Sequence, residues 1–98
     1  MAKNQAKPTN QYNSFSELDS KQKSDIAVWL YEIYRDYYVQ NHAVPAEPNQ
    51  HDALISKLIQ KVKQAKIRIP DKQIQIYYNS KQSHLLKRLA KEFPELSA

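Results

Sequence analysis

Histidines at 42, 51 and 84, ten carboxylates and fifteen Lys or Arg are the side chains of this 98-residue chain that could do chemistry. A zinc site needs three or four ligands at recognisable spacing. His42 and His51 only flank a proline loop containing Glu47, and His51 falls at the edge of an apolar helix face, where it packs half-buried. No metal or other cofactor is expected. Paired carboxylates do acid–base work when they converge in a pocket. Glu32 and Asp36 stand four apart on one helix, where like charges repel slightly, and Lys57 or Lys61 of the next helix are candidate partners for them. The absence of Cys excludes disulfides, thiolate metal sites and thiol nucleophiles together. The absence of Gly excludes a P-loop, a dinucleotide fingerprint and a G-x-S-x-G nucleophile turn. The chain reads as a binding protein and not an enzyme.

Charge points to the partner. Residues 57–98 carry ten Lys or Arg against Asp71, Glu92 and Glu95, whereas residues 14–56 carry three cations against seven acids. Lys81, Lys87, Arg88 and Lys91 lie opposite Leu85 and Leu89 on one helix and form a basic face. Lys57, Lys61, Lys63 and Lys66 line the helix before, with Arg68 and Lys72 in the connection. Such a layout suits a phosphate backbone, because each neutralised phosphate releases condensed counterions. The expected nucleic-acid contacts, with DNA or RNA, are Lys81, Lys87, Arg88 and Lys91, with Lys57 and Lys61 auxiliary. Tyr77 and Tyr78, beside Lys72 and Lys81, are placed to stack on a single strand. A helix-turn-helix with the last helix as reader is a weaker possibility, since its turn at Asn79-Ser80 lacks the frequent Gly. Against all of these, Lys commonly solvates helix faces, and tyrosines at helical spacing are commonly core.

These residues have to be positioned by helices. The stretch 25–39 holds the only Trp and four of the seven Tyr. On a 3.6-residue wheel Ile26, Leu30, Ile33 and Tyr37 centre its apolar face, with Trp29 on one flank and Tyr31, Tyr34 and Tyr38 on the other. This is the central helix. It begins at either Ser16 or Ser20, capped by Ser16 with Asp19 or by Asp19 with Gln22, and runs to about Asn41. Its aromatic flank supplies the alternative function, a protein–protein or homodimer interface through Tyr31, Tyr38 and Trp29. Val28 and Val39 on the polar side add slightly to that reading.

Pro45 and Pro48 stop the central helix. A second helix is predicted over 50–66, with Asn49 as its N-cap. The stretch 67–78 is ambiguous. Isoleucines at 67, 69, 74 and 76 alternate as in a strand, yet Pro70-Asp71 resembles a helix start. A third helix over 70–79 and a fourth over 81–93 are favoured, although Tyr77 and Ile76 spoil the third and Gln82 intrudes on the apolar side of the pair. The predicted fold is an all-α bundle of about four helices around the aromatic helix, forming one domain over 14–98 behind a disordered polar tail, 1–13. The alternative is α+β, with a hairpin at 66–78. No apolar run reaches the roughly 18 residues of a membrane span, and the first residues lack the apolar centre of a signal peptide. A cytoplasmic location is expected.

Overall fold

Asp19 starts the longest helix. In the computed structural model, which describes residues 11–97, its Oδ1 accepts the Gln22 N–H at 2.7 Å and the Gln22 side chain accepts the Asp19 N–H at 3.0 Å. This reciprocal capping box satisfies two donors that the first turn otherwise leaves orphaned. It selects the later of the two starts: a short 3-10 turn, Phe15–Glu17, precedes α1, Ser20–Asn41. Residues 1–10 of the expected tail lie outside the described residues.

α2 spans Pro48–Gln64, starting two residues before the predicted onset. Pro48 takes the first helical position, where its missing N–H costs nothing. The Gln50 side chain accepts the N–H groups of Ala46 and Glu47 at 2.8 and 3.0 Å. Asn49 is therefore inside the first turn and not its cap.

Two helix ends adopt a left-handed residue without the usual Gly. His42 closes α1 at φ 56°, its N–H bonded to the Tyr38 carbonyl at 2.7 Å. After α2, Lys66 sits at φ 62°, with Lys66 N–H on the Lys63 carbonyl and Ile67 N–H on the Val62 carbonyl. That pair of bonds, with Val62 and Ile67 both buried, is a Schellman end built around a lysine.

The hairpin reading fails at 71–80, which form the helix α3, Asp71–Ser80. Pro70 stands at its N-cap and accepts the Gln73 N–H at 2.9 Å, while Ile74, Tyr77 and Tyr78 bury one face. Only the first half of the alternating stretch is extended. There Arg68 forms an isolated parallel bridge with Gln11, and its carbonyl accepts the Tyr12 N–H at 2.7 Å. A single residue, Lys81, separates α3 from α4, Gln82–Glu92. A 3-10 turn, Pro94–Ser97, follows.

The predicted all-α bundle is the observed fold. Ile26, Leu30 and Ile33 of α1, Leu54, Leu58 and Val62 of α2, Ile74 and Tyr78 of α3, and Leu85 and Leu89 of α4 share one core. Each such side chain contributes roughly 1.5–3 kcal/mol on burial, which offsets the ordering entropy of four short helices. Gln82 reaches this core with both ends of its amide bonded, accepting from the Tyr34 hydroxyl at 3.1 Å and donating to the Tyr78 carbonyl at 3.1 Å. Tyr78 in turn shares a 2.7 Å hydrogen bond with His51 Nδ1, so His51 is the packing residue that its place on α2 implied. The N-terminal segment completes the core by covering α3. Phe15 stacks on Tyr77 with ring centroids 4.2 Å apart and planes 15° from parallel, and its N–H is bonded to the Gln73 side chain. Tyr77, which spoils α3 on a wheel, is buried because this third neighbour exists.

Candidate nucleic-acid interface

α4 is amphipathic for a simple reason: Leu85 and Leu89 are buried, and the positions around them carry charge. At 100° per residue, Lys87, Lys91, His84, Arg88 and Lys81 fall within about 120° along one flank. All five are exposed. The two cations nearest the core edge rest on tyrosine rings of neighbouring helices. Lys81 Nζ lies 5.6 Å from the Tyr77 ring centroid. The Arg88 guanidinium lies 3.7 Å from that of Tyr31 and 3.6 Å from Glu92. Between them opens a cleft of about 100 Å³, with Lys81, His84 and Arg88 on its rim and Tyr31 and Tyr77 in its lining.

Arg35 belongs to this group, although the sequence reading passed it over. Its guanidinium lies 5.9 Å from the Tyr31 ring and pairs with Asp36 at 3.6 Å. The available signal was its spacing: Arg35 is four residues after Tyr31, hence on the same side of α1. The pair expected between Glu32 or Asp36 and Lys57 or Lys61 does not form among the described residues.

The auxiliary cations have a different setting. Lys57 and Lys61 are exposed on α2, whose main contacts are with α1 and α3, and they do not extend the α4 band. Further along, Lys63, Lys66 and Arg68 gather around an open cavity of about 710 Å³ beside Tyr12, Ile67 and Pro70. Lys63 there stands 3.7 Å from Asp71.

Three expectations about this region are corrected. Tyr77 and Tyr78 are not stacking platforms: both are buried, one beneath Phe15 and the other edge-on to His51 at 5.7 Å. Helices α3 and α4 do not form a helix-turn-helix, because one residue joins them where that motif needs a turn of three or four. The proposed interface flank of α1 is turned inward. Tyr31 and Tyr38 are only 4% and 6% exposed, covered by α4 and the turn after it. The Tyr31 hydroxyl donates to Glu92 and the Tyr38 hydroxyl to Glu95, while the Tyr38 and Phe93 rings meet at 5.1 Å. Trp29, the third residue named for that interface, is partly buried against the core.

The same burial governs the ionisation of the phenols. Loss of water around Tyr31, reinforced by the Glu92 carboxylate that accepts its hydrogen bond, pushes it up to about 12. Burial likewise raises Tyr34, Tyr38, Tyr77 and Tyr78.

Among the described residues, no three His, Cys, Asp or Glu side chains converge as a metal site. No helix there is long and apolar enough to cross a membrane. Comparison with protein-family models, with curated proteins and with solved structures finds no match to this chain.

Proposed function

We propose that this protein is a non-enzymatic binder of nucleic acid that grips the phosphate backbone with the basic flank of α4. The observation that carries the reading is the pair Lys81 and Arg88, each seated on a buried tyrosine ring at either end of a small cleft that His84 also borders. A cation resting on an aromatic face gains about 0.5–1 kcal/mol at an exposed site and is held in place before any partner arrives. The geometry therefore lowers the ordering entropy that long basic side chains lose on binding. Lys87 and Lys91, one turn apart on the same flank, extend the band outward and supply further phosphate contacts. Lys57 and Lys61 are auxiliary, adding long-range attraction from another helix.

The test is a titration with DNA and RNA oligomers at two or more salt concentrations. Binding should weaken steeply with salt, with a slope of about −0.9 in log K against log salt for each phosphate neutralised on duplex DNA. Absence of binding at low salt overturns the proposal.

A further inference from the structure

Resting on that reading, we infer that the polyanion is a duplex held without regard to base sequence. Single-strand binders combine a basic groove with exposed aromatic rings on which successive bases stack, each ring worth about 1–3 kcal/mol. All ten aromatic residues of this chain fall within the described residues, and the two rings that underlie the α4 band, Tyr31 and Tyr77, are both buried. Tyr77 is stacked under Phe15. Tyr31 carries Arg88 on its face and Arg35 near it. Tyr34 and Tyr78 are fully buried, and Tyr38 is closed off by Phe93. The partly exposed Trp29 lies about 160° around α1 from Tyr31, away from the band.

Base reading lacks equipment as well. Asn, Gln and Arg make the bidentate contacts that distinguish base pairs. The glutamine nearest the band, Gln82, is committed to Tyr34 and Tyr78. Arg88 is held between Tyr31 and Glu92. Lys81, Lys87 and Lys91 are point charges, which meet phosphates but lack the fork of donors that reads a base edge.

What this surface can exploit is charge density. From Lys81 to Lys91 the band is about 15 Å long. Along that length a duplex presents a charge about every 1.7 Å of axis, twice the density of either of its strands. A short row of lysines without rings for bases to stack on gains most from the denser array.

The deciding experiment is a competition measured by fluorescence anisotropy at low salt. It uses duplex DNA, each of its separated strands and a second duplex of reversed base composition, all of one length. The duplexes should bind at least about tenfold more tightly than either strand and agree with each other within about threefold, well below the preference of a sequence reader. Lys87→Ala with Lys91→Ala should weaken both duplexes by the same factor while helicity by circular dichroism stays unchanged. A single strand bound as tightly as the duplex, or one duplex preferred more than tenfold, overturns this inference and leaves backbone binding standing. No binding to any of the oligomers overturns both.

Discussion

The guanidinium of Arg88 lies over the Tyr31 ring, 3.7 Å from its centroid, across the junction of α4 with α1. The contact joins two tasks. It closes the core edge over a ring that is only 4% exposed, and it fixes a cation at the rim of the proposed phosphate cleft. Replacing Arg88 by Ala should cost about 1 kcal/mol in urea denaturation, from the lost stacking and packing of the stem. Arg88→Lys should recover little of it, because an ammonium lacks the planar face. A double-mutant cycle with Tyr31→Leu should return a coupling of about 0.5–1 kcal/mol; a coupling near zero would show that the contact is passive.

Lys87 and Lys91 separate binding from stability. Both are exposed and engaged in none of the ion pairs described above. Changing both to Ala should leave the unfolding free energy within about 0.5 kcal/mol of the parent. If each meets one phosphate, the salt slope for duplex DNA should fall by about 1.8. The same double change at Lys57 and Lys61 should alter the slope less. Equal effects from the two pairs would spread the interface over α2 as well.

Lys66 offers a stabilising change. A non-Gly residue in the left-handed region carries a steric cost of roughly 1–2 kcal/mol, and Lys66 sits there at φ 62°. Gly removes that strain and returns part of the gain as unfolded-state entropy. Lys66→Gly should stabilise the fold by about 0.5–1 kcal/mol, read as a rise in Tm. Lys66→Ala should not, since Ala keeps the Cβ. Equal Tm values for the two variants would argue against the strained helix end.

Alkaline pH should unfold the protein cooperatively. Tyr31, Tyr34, Tyr38, Tyr77 and Tyr78 all have phenols raised above the ordinary value of 10 by burial, Tyr31 to about 12. A folded-state pKa above the unfolded one means that the folded state holds its proton more tightly. The associated stability is fully present below about pH 10 and is lost as pH climbs toward 12 and beyond. Ellipticity and tyrosinate absorbance should therefore change together in that window. Phenols that ionise while helicity is retained would contradict the buried hydroxyls. Tyr31→Phe should raise the pH of the transition, since it removes one of the groups that must ionise.

Much of the fold is written locally. The Asp19–Gln22 box, Pro48 and Pro70 at helix starts, and the spacing of Leu54, Leu58 and Val62 act over three or four residues, so a wheel and a capping rule are enough to find the helices. Where local signals compete, at 67–78, the wheel and the Pro70-Asp71 start favour the helix that forms, without explaining Tyr77. The burial of Tyr77 within that helix depends on Phe15, which reaches α3 across a hydrogen bond between residues 58 apart in the chain. The candidate interface divides in the same way. The basic face of α4 is periodic and therefore visible. The rings beneath it are not, because Tyr31 meets Glu92 across 61 residues and Tyr34 meets Gln82 across 48.

By itself, the amino-acid sequence determined that the chain would be helical, where most helices begin and stop, and that its cations would crowd residues 57–98. Those properties follow from backbone propensity, capping and charge count, which need only near neighbours. Tertiary structure alone decided which flank of α1 would be covered. Apolar flanks compete for a limited supply of partner surface, and α4 with its following turn settled on Tyr31, Tyr34 and Tyr38, leaving Trp29 at the margin. That choice buried Tyr31 and Tyr38 of the aromatic flank and set Tyr31 under Arg88, in the band proposed to meet phosphate.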